Sequence, residues 1–493
     1  MAGPFVILGG GPCGLAAAWH LARRGARPIV LEREDLVGGL CATHERSGWR
    51  FDLGGHRFVS GDVELSRWIE GLLGSELLER GRRSVVLHDG RCFRYPLEAV
   101  DLVRNLGLRE NVEAIVGYVR ARAVRGRGAM RGTEPRDEGS FEDWVCARFG
   151  RPLYARFFGP YTEKLWGIPA SCISADWAAE RISLLDLKDV ALRLAGLRRS
   201  PTRTYARRYL YPRLGMGQLY AIVAADIVRR GGVVRTGVRV VGLECDGTSA
   251  ASPQRGRNLG ERRATAVRIE TERGAERIPV GELLSTVPLP DLVRMLRPEL
   301  PGDLDRAAAA LRFRALTFVN LMLAREDFSE NTWMYVASGA LRTSRIQEPK
   351  RRSPSMAPAG RTSLMLEMPC NLGDDTWRAA PGDLRERGVR ELGALGFEVN
   401  DVLDAFCVRV PHGYPVYHRG YDRDRRALLG EVERFSNVRT AGRQGLFRYV
   451  FMDAAMRMGI RAAEQMLDGQ RDGKAIDAIG RSSRVVETTA LTA

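Results

Sequence analysis

The sequence predicts an α/β protein: a Rossmann-like dinucleotide-binding fold joined to a mixed α+β substrate domain. Three observations predict it. The chain opens on an apolar run, Phe5-Val6-Ile7-Leu8, followed at once by a glycine cluster and an Ala/Leu-rich stretch. The next apolar run ends in an acid, Glu32, at the distance where a carboxylate reaches a ribose hydroxyl. Near the other end, Val438–Leu467 has the order strand, glycine turn, helix a second time.

Phe5–Leu8 reads as a buried parallel strand. It runs into Gly9-Gly10-Gly11-Pro12-Cys13-Gly14, which carries G-x-G-x-x-G at Gly9, Gly11 and Gly14. Gly9 permits the tight turn, Gly11 lets the backbone approach a pyrophosphate, and Gly14 allows close helix–strand packing. Leu15–Arg24 reads as the helix whose N-terminus offers free N–H groups and a positive dipole end, and Gly25 stops it. Ala26–Leu31 is the second strand, with Glu32 at its end, 18 residues past Gly14. An acid there argues against a 2′-phosphorylated cofactor. Val37-Gly38-Gly39-Leu40 then places a glycine pair just after the acidic strand end, where backbone must pass close to a ribityl and phosphate chain. That arrangement is typical of FAD rather than NAD proteins, so FAD is the cofactor expected.

Residues 1–60 are expected to supply the first part of the FAD-binding domain, 206–290 the second and 433–469 the third. Residues 61–205 read as a mostly helical substrate or cap region. Val63–Leu73 has helical apolar spacing, and Ser140-Phe141-Glu142-Asp143 fits a capping box before Trp144–Phe149. Arg120–Gly139, rich in Arg and Gly, is expected to be a mobile loop. Gln218–Arg230 reads as a helix and Val238–Cys245 as an alternating strand. Gly247–Arg262 reads as a polar loop, and Leu283–Pro288 as a buried strand. Residues 291–432 form a second substrate section, and 470–493 are expected to be a disordered tail.

With 493 residues and 44% hydrophobic content, the chain can bury a large core in two or three domains. Its longest largely apolar stretch, around Leu219–Val228, falls well short of the ~20 residues a membrane span needs. The amino terminus lacks the basic region of a secretory signal. The eight cysteines are scattered without a C-x-x-C pair, so neither a zinc site nor a disulfide framework is expected. Reduced thiols suit a cytoplasmic protein. The net charge of +16 comes almost wholly from Arg, for only four of 76 basic residues are Lys. With no nucleic-acid-binding motif beside it, this charge reads as a solvated basic surface rather than a nucleic-acid site. An anionic substrate or a loose membrane-surface attraction stays open. Ser/His/Asp and metal-ligand spacings are missing, and no metal is expected.

Phe51-Asp52-Leu53-Gly54-Gly55-His56-Arg57-Phe58 resembles a segment of the UDP-galactopyranose mutases, which group with flavin amine oxidases and protoporphyrinogen oxidases. The resemblance recurs in order. Tyr161-Thr162-Glu163-Lys164-Leu165-Trp166 is similar to a mutase segment bordering the uridine. Tyr211–Gly217 resembles the return to the FAD domain, Phe313-Arg314-Ala315-Leu316 a stretch whose Arg holds a diphosphate, and Gly413-Tyr414-Pro415-Val416 one near the sugar. Ala441–Tyr449, running on to Met452-Asp453, resembles the closing signature. Val59 stands where a second histidine is expected.

The resemblance implies cofactor-binding roles for Gly55, Val238, Gly442, Arg443 and Asp453, beside Gly9, Gly11, Gly14, Glu32, Gly38 and Gly39. It implies His56, Arg314 and Tyr414 as catalytic candidates. Tyr161, Trp166, Arg203, Arg448 and Tyr449 are the substrate-binding candidates: aromatic faces stack on a planar base, and guanidinium forks suit phosphate oxygens. The expected activity is hydride transfer to flavin N5 from a small polar substrate that is sugar- or nucleotide-linked, such as a glycoside. A redox-neutral mutase using reduced FAD, and a non-catalytic FAD-binding protein, are the alternatives.

Overall fold

In the computed structural model, which describes residues 3–95, 101, 104–128, 139–177, 208–246 and 262–482, Phe5–Leu8 is the middle strand of a five-stranded parallel sheet. The strand order is Val438–Thr440, Glu282–Ser285, Phe5–Leu8, Ile29–Leu31, Val233–Arg235. Val6 lies beside Leu283 on one side and Ile29 on the other. Val6, Ile7 and Leu8 are all buried, because helices and a further sheet cover both faces, and this is why the strand is apolar throughout. Three distant chain segments thus lie side by side with their carboxyl ends on one edge, the edge where open α/β sheets bind ligands.

The helix Pro12–Arg23 packs against Met452–Leu467 and Gly217–Arg229. A Cβ on Gly459 would stand 2.0 Å from the Cys13 carbonyl oxygen, so the first two helices touch backbone to backbone. Cys13 is buried in that contact and burial pushes its thiol far up, which makes it a packing residue. A three-stranded antiparallel sheet, Arg239–Cys245, Ala264–Thr271 and Gly274–Pro279, covers another side of the FAD domain. Of the polar loop expected over 247–262, only Arg262 lies within the described residues.

The substrate side is a seven-stranded sheet in the order Val402–Pro415, Phe313–Leu323, Thr362–Cys370, Arg345–Gln347, Trp333–Val336, Ser84–His88, Arg91–Arg94. Its last two strands come from within 61–205, whose described residues are otherwise mostly helical. Val63–Leu73 and Phe141–Phe149 are helices as read, and Ser140 Oγ accepts from the Asp143 N–H at 3.0 Å. However, Leu77–Gly81, Ser84–His88 and Arg91–Arg94 are strands. The short run Ser84-Val85-Val86-Leu87 and the Asp89-Gly90 turn are a hairpin signal. Ser84–His88 pairs in parallel with Trp333–Val336, so the two substrate sections share one sheet.

Two further expectations change. The Arg-rich stretch is not a loop from its start: the helix Leu108–Gly128 carries through Arg120–Gly128, since Ala and Arg are strong helix formers, and 129–138 lie outside the described residues. The carboxy-terminal segment is not a disordered tail throughout. Gly473–Ser482 is a helix that buries Ile476 and ties Asp477 to Arg425 and Arg448. Residues 483–493 lie outside the described part.

Candidate active site

Strand Phe5–Leu8 must turn sharply into its helix, and Gly9 does so at φ +100°, with its N–H on the Leu31 carbonyl at 2.8 Å. A Cβ on Gly14 would stand 2.0 Å from the Gly9 oxygen, so Gly14 serves packing and does not reach the cavity. Gly11 does line it, and the nearest atom to a Cβ there would be Gly39 Cα at 3.9 Å. Gly11 is also the N-cap of Pro12–Arg23 and makes no side-chain capping bond, which leaves first-turn N–H groups for a ligand anion.

Glu32 is held in place by two backbone N–H groups, Gly10 at 2.6 Å and Glu34 at 2.9 Å. Burial raises its carboxyl, and those two bonds oppose the rise. Val238 lines the cavity beside it, with its N–H on the Glu32 carbonyl at 2.9 Å. Gly38 donates to the Gly10 carbonyl at 2.8 Å and stays outside the lining, while Gly39 faces the cavity.

From the end lined by Gly11, Glu32 and Val238 the cavity, about 970 Å³ in volume, runs on to a second block. That is at the upper end of small-molecule sites. Gly54, Gly55 and His56 form one wall; Gly442, Arg443, Tyr449 and Asp453 form the facing one. Gly442 sits at φ +83°, and a Cβ there would meet Cys13 Cβ at 3.0 Å, so the closing turn nests on the opening helix. The Arg443 guanidinium donates to the Val450 carbonyl at 2.7 Å and lies 4.4 Å over the Tyr449 ring. Asp453, in the first turn of Met452–Leu467, accepts from Ser60 Oγ at 3.2 Å, and burial raises its carboxyl. His56 Nδ1 is buried with no hydrogen-bond partner among the described residues. Burial, then the charges of Arg443, Arg352 and Arg345, pull the imidazole down to about 3. His56 is therefore neutral at physiological pH, suited to hydrogen bonding and not to carrying a proton.

Beyond the histidine the cavity opens into an aromatic chamber. Tyr161, Trp166, Trp333, Tyr335, Tyr414 and Tyr449 all line it. Tyr414 Oη donates to Glu367 Oε1 at 3.0 Å, and Arg345 Nη1 stands 3.4 Å from the other carboxylate oxygen. Glu367 is fully buried. Burial and then its charge push the Tyr414 phenol well up, so Tyr414 keeps its proton. Trp166 packs edge-on against Trp177 at 4.6 Å. The helix Gly159–Trp166 is fixed from behind by Lys164, whose Nζ donates to the Val336, Ser338 and Thr343 carbonyls at 2.6, 2.7 and 2.9 Å.

The model of the flavin containing amine oxidoreductase family matches residues 12–467. This chain belongs to the flavin-containing amine oxidoreductases. Its cofactor is FAD. Protoporphyrinogen oxidase 1 of Spinacia oleracea chloroplasts is 28% identical over 191 residues, 37% of this chain and 32% of the relative. The chain therefore aligns with about a third of that relative's length. Among solved structures, a reduced UDP-galactopyranose mutase superposes with a TM-score of 0.79 at 21% identity, covering 100% of both chains. Cyclohexylamine oxidase from Brevibacterium oxydans gives 0.62 at 17% identity, over 95% of this chain and 99% of that one. At these identities the likeness is one of fold.

The residues of this family member fit the cofactor. The helix Pro12–Arg23 presents an open N-terminus that could take a pyrophosphate, the Glu32 carboxylate beside it could meet a ribose hydroxyl, and the unpartnered His56 Nδ1 is buried farther along the same cavity.

Two residues expected at the substrate lie elsewhere. Arg314 is buried and spends its guanidinium on the Leu165, Lys164 and Pro369 carbonyls and on Asn371 Oδ1, the last at 2.6 Å. Arg448 is buried against Asp477, Nε to Oδ1 at 2.9 Å, and faces away from the cavity. In both cases a buried guanidinium needs its donors satisfied, and the nearest acceptors belong to the protein. Arg203 lies outside the described residues. Arg345, Glu367, Trp333 and Tyr335 were missed. The one legible hint was Glu367 itself, a lone acid in the otherwise apolar and neutral run Thr362–Cys370.

Proposed function

We propose that this chain is an FAD-dependent oxidoreductase that removes a hydride from a carbon of a small polar substrate, sugar- or nucleotide-linked, and that it works in the cytoplasm. One observation carries the reading: a single cavity joins Gly9 and Gly11, through Arg443 and His56, to a chamber walled by Tyr414 and Arg345, which the fully buried Glu367 ties together from behind the wall. Gly9, Gly11, Glu32 and Val238 would hold the adenosine diphosphate half of FAD; Gly39, Gly55, Gly442, Arg443 and Asp453 would hold the rest. When bound, FAD supplies the hydride acceptor at N5.

The protein's own part is orientation and exclusion of water. Tyr161 and Trp166 offer faces for a planar group, and Arg345 offers a guanidinium at the chamber wall, its charge fixed by Glu367. Tyr414, protonated and held by Glu367, can donate no second hydrogen bond, so it orients substrate by accepting one. Neutral His56 can hydrogen-bond at the flavin edge without adding a cation. The mutase reading is less favoured, since the guanidinium expected to clamp a diphosphate, that of Arg314, is already bound to main-chain carbonyls and Asn371.

The two readings separate in one anaerobic experiment. Oxidised holoprotein is mixed with a panel of glycosides and nucleotide sugars, and flavin absorbance is followed. Bleaching by a panel member without added reductant supports the oxidoreductase. Conversion of UDP-galactopyranose to its furanose by the dithionite-reduced protein, with no net flavin oxidation, overturns it in favour of the mutase.

A further inference from the structure

The helix Leu108–Gly128 is apolar on the wrong side. Its inward face carries small residues: a Cβ on Gly117 would stand 2.6 Å from Pro152 Cδ, and Glu110 anchors the helix to Arg156 at 3.2 Å. Its outward face carries Leu108, Val112, Ile115 and Val119, at the i, i+4, i+7, i+11 spacing that forms one stripe, with Val116 alongside. These five are 84%, 52%, 59%, 58% and 40% exposed. A contiguous apolar stripe of this kind marks a surface that something else covers.

Charge indicates what covers it. Arg120 and Arg122 flank the stripe and are exposed, within a chain of net charge +16, while Arg109 beside it pairs with Glu113 at 2.9 Å. The helix rests on the segment 150–158, whose Phe157 and Phe158 line the apolar end of the cavity. Among the described residues no helix is long and apolar enough to cross a membrane. We propose that Leu108–Gly128 lies in the surface of an anionic lipid bilayer, with the stripe in the acyl boundary and the flanking guanidiniums on lipid phosphates. A second copy of the chain fits less well, because it would bring two strongly basic surfaces and the same arginines face to face. The attachment does not depend on the flavin chemistry.

Co-sedimentation of the full-length holoprotein with vesicles tests this. Vesicles of equal parts phosphatidylglycerol and phosphatidylcholine should carry the protein down, less so as salt rises, and pure phosphatidylcholine should not. Ile115→Glu/Val119→Glu should lower the partition coefficient by about tenfold or more, at unchanged flavin absorbance and melting temperature. Arg120→Gln/Arg122→Gln should lower it by roughly 30-fold at low salt. Failure to sediment with anionic vesicles overturns the proposal. So does salt-sensitive binding that Ile115→Glu/Val119→Glu leaves intact, which would assign the attraction to the basic surface at large. A dimer seen by light scattering and dissolved by that double variant would assign the stripe to a second copy.

Discussion

The cofactor end and the substrate chamber are built by different means. At the cofactor end the ligand surface is mainly backbone. Gly9, Gly11 and Gly442 let main chain come close, and each does so within a few residues of the strand that positions it. In the chamber the surface is side chains brought from afar. Tyr414, Glu367 and Arg345 sit on three strands of one sheet, with Tyr161 and Trp166 added from a separate helix. The first kind of site tolerates almost no added volume; the second tolerates substitution but changes its chemistry.

The sharpest contrast should come from Gly14→Val. Its Cβ meets main-chain oxygen, which cannot swing away, so a loss of about 3 kcal/mol or more of stability is expected. Urea unfolding and flavin absorbance check it, and a stable yellow Gly14→Val protein would erase the distinction drawn here.

Next in size is Asp477→Ala. It leaves Arg448 buried without its counter-charge, and Arg425 with Asp422 alone, a change of about 3–5 kcal/mol. Because Tyr449 and Val450 follow Arg448 into the cavity wall, FAD should also dissociate faster. Burial raises the Asp477 carboxyl, but Arg425 and Arg448 outweigh it, so its folded-state value lies below the unfolded 3.8. The stability it contributes is thus full above about pH 4 and is lost as pH falls below it. Denaturation curves of the native and Asp477→Ala proteins should converge in that acid range.

Tyr414→Phe should be milder, about 1.5–3 kcal/mol for one hydrogen bond to a buried carboxylate. FAD affinity should stay unchanged while substrate-driven flavin reduction slows. Equal loss of FAD in Tyr414→Phe and Gly14→Val would show that the two ends are not separable.

The smallest effect at neutral pH concerns His56. Its folded-state value of about 3 lies below the ordinary 6.5, so it costs the fold nothing above pH 6.5, and stability is lost as pH falls from 6.5 toward 3 because only the unfolded chain takes up the proton. Nitrogen NMR of the imidazole should show no protonation between pH 5 and 8. A titration midpoint within that range contradicts the assignment of a neutral histidine.

What the sequence revealed follows the same division. The opening turn and Glu32 were readable because spacing along the chain fixes their geometry, and the Gly442–Asp453 block because it resembles a family signature. The chamber was not, because Arg345 and Glu367 meet Tyr414 only through sheet pairing across more than forty residues. Arg314 and Arg448 show the limit of matching a residue by its surroundings in sequence. Both stand where a substrate arginine was expected, and both are consumed by local acceptors, Asn371 and Asp477, that no spacing rule ties to them. The helix Gly473–Ser482 was missed for a similar reason: only ten residues long, it owes its place to Ile476 and Asp477 docking rather than to a strong pattern of its own.

The central claim is that one FAD spans the cavity from the amino-terminal glycine turn to the carboxy-terminal Arg443–Asp453 block. Titration of apoprotein with FAD, read by quenching of flavin fluorescence, tests it on three proteins: the native chain, Gly11→Leu and Asp453→Ala. The account predicts one FAD per native chain, no uptake by Gly11→Leu, and weakened uptake by Asp453→Ala. Native affinity in both variants, or no uptake by the native chain, would contradict it.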